Sequence, residues 1–374
     1  MDDEKTDSTK PTSAGRRFLL VLLGLLAAIV TLEVAVRFLP LLPITAMGAV
    51  VRRDPVLDHS LRPGSRGRMV SAEYDVIYQI DPHGFRDPTV KPHSVLILGD
   101  SFMEGYGVDV QQTLAELLEK RGIPTINAGV KSYSPLIEYL FLKRRGLTWN
   151  PRLVLLFLDL SDPANDRFYA RRLVTDSSGE PLFLKPRRSR LWNPSGRIAD
   201  WFDRHSVLFQ HLEHLSYKYF PDTADVGYSG SDSALELLFA GRDSIPDTTY
   251  FPRWKTTLSY ILRIHGLLRE REIPFLLVTY PYGHEVSGEA WKEGRKAHRF
   301  PPGVSSDRPF RLVEEFARIH GIDSFRLDPA FRRAKNPGRF YYNFDGHWTA
   351  EGHAFAAALV EEEIRRRYPT MFSE

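Results

Sequence analysis

Short apolar runs alternate with longer segments of helical periodicity through residues 81–374. This alternation predicts an α/β fold, a three-layer α/β/α sandwich with a mostly parallel central sheet. The predicted strands of the sheet span residues 95–98, 124–128, 153–158, 274–279 and 322–327. The predicted helices span residues 113–120, 133–144, 254–271, 310–320 and 354–367. One further strand is predicted upstream, at residues 74–80.

The N-terminal region predicts a membrane-spanning helix. Arg16 and Arg17 precede a run that carries no charge from residue 18 to residue 32, and the apolar character continues far enough to cross a bilayer. We therefore divide the chain into a tail at 1–17, a transmembrane anchor at 18–43, a stem or N-terminal arm at 44–80 and a globular domain at 81–374. A cleaved signal peptide is the alternative interpretation. Basic residues flank the run on both sides, so the positive-inside rule does not orient it.

Residues 168–253 interrupt the alternation of strands and helices. The segment holds a basic cluster at 185–190 and a stretch rich in Gly and Ser at 227–233. Long segments of this kind in compact domains are often active-site lids. We therefore predict that residues 168–253 form an inserted, lid-like region.

Composition excludes several classes of site. Fifty basic and 47 acidic residues give a net charge of +3, which is too balanced to favour nucleic acid as a partner. The chain has no cysteine, so disulfides, cysteine-based zinc sites and a cysteine nucleophile are all excluded. No other pattern of metal ligands stands out, and we expect neither a metal nor an organic cofactor.

A serine follows the first predicted strand of the sheet. Residues 95–98 read Val-Leu-Ile-Leu, and Gly99, Asp100 and Ser101 end the run. Open parallel sheets bind their ligands at the carboxyl ends of the strands. Ser101 therefore lies where a nucleophile would be exposed and where backbone N–H groups could face an oxyanion. The same tripeptide also occurs in ordinary turns.

A histidine and an aspartate near the C-terminus supply the partners that a serine nucleophile needs. Asp345 and His347 are two residues apart and precede the last predicted helix. A histidine can take the serine proton at neutral pH, and a carboxylate can orient it. His353 is the alternative base, but it falls close to the start of the helix.

Five motifs in order make the chain resemble the SGNH (GDSL-type) hydrolase family, in its membrane-anchored, extracytoplasmic bacterial branch. They are Gly-Phe-Arg-Asp at 84–87, Leu-Gly-Asp-Ser at 98–101, Asn-Ala-Gly at 127–129, the strand at 151–157, and Asp-Gly-His-Trp at 345–348 with Gly-His at 352–353. The resemblance covers most of residues 81–368. It implies an SGNH or flavodoxin-like fold, a cytoplasmic tail and a catalytic domain in the periplasm or at the cell surface.

The resemblance also implies roles for individual residues. Ser101 would be the nucleophile, His347 the base and Asp345 the carboxylate that orients it. The N–H groups of Ser101 and Gly129 would form part of the oxyanion hole. Relatives commonly carry Gly-Asn-Asp after the strand at 153–158, whereas this chain places Asp162 at the position of the Asn and has Asn165 three residues later. Asp162 would have to be protonated or turned away, because a carboxylate repels an oxyanion.

The activity implied is that of a membrane-anchored serine esterase or acyltransferase. It would act through an acyl-serine on ester-linked acyl groups, in the first place acetyl groups, of cell-surface or secreted glycans, as part of an envelope polysaccharide machinery. A lipid esterase or lysophospholipase is the alternative among enzymes. A non-catalytic protein that keeps the fold and binds or assembles glycans is the alternative outside them, and the missing Gly-Asn-Asp motif favours it.

Overall fold

The computed structural model describes residues 13–38, 50–71, 73–185, 206–209, 212, 240–297, 300 and 303–372. Most of the predicted tail lies outside the described residues. So do residues 39–49 of the predicted anchor and stem, and most of the predicted lid, including the basic cluster beyond Lys185.

Five parallel strands form the central sheet, as predicted. In chain order they are β5 (Val95–Leu98), β6 (Thr125–Asn127), β7 (Leu153–Leu158), β10 (Phe275–Thr279) and β11 (Asp323–Arg326). Their spatial order is β6-β5-β7-β10-β11, and every neighbouring pair is parallel. This is the 2-1-3-4-5 order of doubly wound, flavodoxin-like folds, in which the strand order reverses between the first and third strands. The crevice beyond the carboxyl ends of β5 and β7 is therefore the expected ligand site.

Helices cover both faces of the sheet. They are α2 (Ser101–Glu104), α3 (Leu114–Glu119), α4 (Pro135–Arg144), α5 (Asp162–Ala170), α6 (Asp247–Arg269), α7 (Gly283–Val286), α8 (Lys292–Ala297), α9 (Arg308–Ile319), α10 (Asp328–Arg333) and α11 (Ala350–Arg367). Alternate residues of a strand point to opposite faces. Leu96 and Leu98 accordingly join one buried cluster with α4, α6 and α9, and Val95 and Ile97 join a second with α3 and α11. The architecture is the predicted three-layer sandwich.

The N-terminal helix α1 (Ser13–Phe38) meets the length and composition of a membrane span over Ala14–Val36. Its apolar side chains are exposed along this stretch. These properties fit both an anchor and a signal sequence, the two interpretations that the sequence left open.

Residues 50–71 and 73–80 belong to the predicted stem or N-terminal arm, and the strand predicted at 74–80 is present in one of its hairpins. These residues fold into two antiparallel hairpins, β1 (Val51–Asp54) with β2 (Asp58–Leu61) and β3 (Arg66–Val70) with β4 (Asp75–Gln79). Leu57, Leu61, Met69 and Tyr78 are buried in the same cluster as the sheet. The arm is therefore part of the domain, because apolar residues that looked isolated in the sequence join the buried cluster on one face of the sheet.

Asp58 ties this arm to the domain. Its carboxylate lies 2.5 Å from Nη1 of Arg172 and 3.1 Å from Nδ1 of His59. Burial disfavours the charge, but the hydrogen bonds from His59 and Arg172 outweigh it and lower the pKa of Asp58 to about 2. The ionised carboxylate thus stabilises the folded arm at neutral pH.

We expect Asp58→Asn to lower the free energy of unfolding by roughly 2 kcal/mol at pH 7, and by about half as much at pH 3. The sign follows from the lowered pKa, since the stabilisation exists above the ordinary pKa of an aspartate and is lost as the pH falls through about 2. Urea unfolding at the two pH values measures the difference between wild type and variant. A difference that does not change with pH would contradict this account.

The first described part of the insertion is a hairpin, β8 (Leu173–Thr175) with β9 (Pro181–Leu184). Glu180 binds Lys143 of α4 at 2.5 Å and Arg263 of α6 at 2.9 Å. This hairpin is thus docked on helices rather than placed as a lid. The predicted bounds at 168 and 253 fall inside α5 and α6, so the insertion proper lies between these two helices. Residues 186–205 and 213–239, where a lid remains predicted, lie outside the described part.

Candidate active site

Ser101 stands at the carboxyl end of β5, as the first residue of α2. Asp100 caps this helix, because its Oδ1 accepts the N–H of Phe102 at 2.9 Å. Ser101 is buried to 8% exposure. Its own N–H donates to no acceptor within the described residues. The turn therefore presents both a hydroxyl and a spare backbone donor at the expected crevice.

The structure joins Ser101, His347 and Asp345 by consecutive hydrogen bonds. Nε2 of His347 lies 2.8 Å from Oγ of Ser101, and Nδ1 lies 2.5 Å from Oδ1 of Asp345. These distances fit the tautomer in which Nδ1–H donates to the carboxylate and Nε2 accepts the serine hydroxyl proton. The three predicted catalytic residues, 246 positions apart at their extremes, form the hydrogen-bonded set that activates a serine.

Aromatic side chains hold the imidazole in place. The ring of Tyr106 stacks on His347 with 4.6 Å between ring centres, and Phe102 lies on it at 4.7 Å. Nζ of Lys131 lies over the ring of Tyr106, 5.3 Å from the ring centre. None of these contacts was predicted. A histidine held between two rings loses little conformational freedom when it takes up a proton, which favours its use as a base.

The surroundings of Asp345 favour its ionised form. Burial opposes ionisation, but the neighbouring His347 and the hydrogen bonds from His347 and Tyr74 keep the pKa of Asp345 below its usual value. Asp345 is therefore a carboxylate at neutral pH and can stabilise the imidazolium that forms when His347 accepts a proton.

The alternative base, His353, is not in the site. It lies in α11, and its Nδ1 accepts the N–H of Leu114 at 3.3 Å. Burial lowers the pKa of His353 to about 3. It is a neutral, buried residue that joins α11 to α3.

Gly129, a predicted oxyanion donor, lies directly against α2, the helix that begins at Ser101. A Cβ at this position would come within 2.4 Å of the backbone N of Glu104 and 2.6 Å of the carbonyl carbon of Met103. Its N–H, however, donates to Oδ1 of Asn127 at 3.1 Å. The structure therefore places Gly129 beside α2, with its N–H already bound to Asn127, which the sequence did not reveal.

We expect Gly129→Ala to lower the free energy of unfolding by about 1–3 kcal/mol, because the new methyl group meets backbone atoms that cannot move aside. Gly266→Ala in α6 is the control, since a Cβ there meets nothing within 4 Å. It should leave stability unchanged or raise it by up to about 1 kcal/mol. Equal unfolding midpoints in urea for the two variants would contradict the close approach of Gly129.

The hydrogen bonds of Asp162 and Asn165, the two candidates for a third oxyanion donor, are made to neighbours within residues 159–165. Oδ2 of Asp162 accepts the N–H of Asp159 at 2.9 Å, and its own N–H donates to Oδ1 of Asp159 at 3.0 Å. Burial and the charge of Asp159 raise the pKa of Asp162 well above its ordinary value. The raised pKa disfavours the ionised form of Asp162, which is the form that would repel an oxyanion. Nδ2 of Asn165 lies 3.5 Å from Oγ of Ser161, the residue that precedes its own helix.

Buried acidic residues lie behind Ser101. Oδ1 of Asp100 accepts a hydrogen bond from the hydroxyl of Tyr280 at 2.8 Å, and Oδ2 of Asp159 accepts one from the hydroxyl of Tyr282 at 2.6 Å. Burial and the neighbouring Asp159 raise the pKa of Asp100. In the described part of the chain, no three His, Asp or Glu side chains are arranged to hold a metal ion. Two tyrosines that the sequence did not single out thus bind the carboxyl groups of Asp100 and Asp159.

Comparison with known proteins identifies the C-terminal part of the chain. Residues 237–373 match the family model described as SGNH hydrolase-like domain, acetyltransferase AlgX. No curated protein matches the chain.

Similar solved structures include a lipase/acylhydrolase from Enterococcus faecalis, with 17% identity, a TM-score of 0.34, and coverage of 73% of this chain and 96% of that one. A GDSL-like lipase from Bacteroides thetaiotaomicron has 12% identity, a TM-score of 0.36, and coverage of 75% and 93%. An acetyl xylan esterase has 12% identity, a TM-score of 0.37, and coverage of 72% and 99%.

Proposed function

We propose that the chain is a member of the SGNH hydrolase family, whose model matches residues 237–373, and that it is a serine esterase or O-acyltransferase that works through an acyl-serine intermediate. The observation that carries the proposal is the hydrogen-bonded line from Ser101 through His347 to Asp345. The family match, whose description names an acetyltransferase, supports ester chemistry with small acyl groups.

The proposed reaction has two steps. Oγ of Ser101 attacks the carbonyl carbon of an ester while its proton passes to Nε2 of His347. The tetrahedral intermediate collapses, and the leaving alcohol takes that proton. In the second step, His347 removes a proton from water or from a sugar hydroxyl, which attacks the acyl-serine carbonyl. Ser101 recovers its proton from His347 as the acid or the new ester leaves.

The first hydrogen-bond donor to the oxyanion is the N–H of Ser101, which has no other acceptor in the described structure. The N–H of Gly129 would join it only by sharing or releasing its bond to Asn127. One such donor is typically worth about 10²–10³ in turnover. We therefore propose that the resting site is incompletely formed and that bound substrate completes it.

We further propose that the substrate is an O-acylated glycan outside the cytoplasm. The apolar helix α1 supports attachment of the domain to a membrane. The description of the matching family supports acetyl transfer. In this proposal α1 remains as an anchor, and water or a second glycan hydroxyl accepts the acyl group.

The test compares acyl chain length and acceptor. Full-length protein in detergent micelles is given p-nitrophenyl acetate, p-nitrophenyl palmitate and acetylated polysaccharides, and released acids and transferred acetyl groups are quantified. Preference for acetyl esters, with release or transfer of glycan acetyl groups, supports the proposal. Preference for palmitate favours a lipid esterase. Glycan binding without turnover of any ester favours a non-catalytic protein.

A further inference from the structure

We propose that the tip of the hairpin β3–β4 is a clamp that positions Asp345, and that Glu73 and Tyr74 are positioning residues for the reaction. The inference rests on the proposed function of Asp345 as the partner of His347. The hairpin lies far upstream of Asp345, in the segment predicted to be a stem or N-terminal arm.

Glu73 holds the backbone of the catalytic loop. Its carboxylate accepts the N–H groups of three consecutive residues, Asn343 at 2.5 Å, Phe344 at 3.1 Å and Asp345 at 2.9 Å. A single carboxylate that accepts three successive N–H groups fixes the turn of the backbone, because each bond restrains a different peptide plane. The side chain of Asp345 is thereby aimed before any substrate binds.

Tyr74 holds the carboxylate itself. Its hydroxyl donates to Oδ2 of Asp345 at 3.0 Å, while Oδ1 accepts from His347. Burial, reinforced by the charge of Asp345, raises the pKa of Tyr74, so the hydroxyl stays protonated and remains a donor. Each oxygen of Asp345 therefore has its own donor, and rotation of the carboxylate away from His347 would break both bonds.

The clamp is itself rigid. Oγ of Ser71 accepts the N–H groups of Glu73 at 3.0 Å and Tyr74 at 3.2 Å, which fixes the hairpin tip. The ring of Tyr74 packs on Tyr342 with 5.0 Å between ring centres. The hydroxyl of Tyr342 in turn donates to the carbonyl of Gly107 at 2.8 Å. The tip is thus joined both to the catalytic loop and to the segment that follows the nucleophile helix.

The test uses Tyr74→Phe and Glu73→Gln in the full chain, in detergent, with a fluorophosphonate as the probe. Tyr74→Phe keeps the packed ring and removes only the hydroxyl, so we expect labelling of Ser101 to slow about tenfold. Glu73→Gln should slow it several-fold. Asp75→Asn is the matched control, since it removes an exposed ion pair with Arg68 from the same hairpin without touching the loop. It should label at the wild-type rate.

A second comparison separates positioning from general stability. In an Asp345→Ala background, Tyr74→Phe should cause no further loss of labelling rate, because its partner is gone. An equal loss in both backgrounds would overturn the proposal, as would a wild-type rate for Tyr74→Phe and Glu73→Gln together.

Hydrogen exchange tests the clamp without relying on activity. Amides of residues 343–345 should exchange faster in Glu73→Gln than in Asp75→Asn, while those of the central sheet stay protected in both. Unchanged exchange at 343–345 would overturn the clamp. Wild-type protein that fails to label would instead overturn the proposed function, and the exchange result would then decide the clamp alone.

Discussion

Ser101→Ala is expected to abolish fluorophosphonate labelling and to lower ester turnover about 10⁴-fold or more. The probe forms a bond between its phosphorus and Oγ of the activated serine as fluoride leaves, and alanine has no such oxygen. Oγ of Ser101 lies 2.8 Å from Nε2 of His347, the geometry that activates it. The measurement is the rate of covalent labelling, read by mass spectrometry of the peptide that contains residue 101.

Ser94→Ala is the matched control for this experiment. Ser94 immediately precedes β5, at the opposite end from Ser101, and its hydroxyl donates to the carbonyl of Lys91 at 2.8 Å. The control should label at the wild-type rate. Labelling of Ser101→Ala, or of another serine in the wild type, would show that the nucleophile is elsewhere and would remove the proposed mechanism.

The parallel sheet could be predicted because buried strands are continuous apolar runs. The strand Leu153–Leu158 was predicted at its observed bounds, and all six of its residues are buried. The first residues of the helices are harder to predict from the sequence. Helix α11 begins at Ala350 and not at 354, because Thr349 caps it by accepting the N–H of Gly352. Helix α6 begins at Asp247 and runs through Pro252, a residue that a sequence pattern treats as a boundary.

The supporting contacts of the site could not be predicted because they join distant parts of the chain. Tyr74 and Asp345 are 271 positions apart. Nothing local marks a tyrosine in a hairpin as the partner of a catalytic carboxylate. The hydrogen bond made by the N–H of Gly129 could not be predicted for a related reason. Gly129 was expected in the right place, but only the fold shows that Asn127 occupies its N–H.

His347→Ala is expected to cause the second large loss, also about 10⁴-fold or more in ester turnover, because Oγ of Ser101 then has no base. Truncation leaves a space between the rings of Phe102 and Tyr106, which contact the imidazole at 4.7 and 4.6 Å. Free imidazole has the shape and chemistry to enter that space. We expect added imidazole to restore turnover several-fold in His347→Ala and to leave Ser101→Ala inactive. The measurement is the hydrolysis rate of p-nitrophenyl acetate against imidazole concentration, corrected for the uncatalysed reaction.

His353→Gln decides whether the choice between the two histidines is right. His353 is buried, with a pKa of about 3, and its Nδ1 accepts the N–H of Leu114. A neutral glutamine can accept the same hydrogen bond, so this variant should keep its turnover, although its unfolding midpoint can fall. If His353→Gln were inactive while folded and His347→Ala active, proton transfer would have to pass through α11. The line from Ser101 to Asp345 would then be structural. Rescue of His347→Ala by imidazole, together with an active His353→Gln, assigns the base to the side chain that lies between Phe102 and Tyr106.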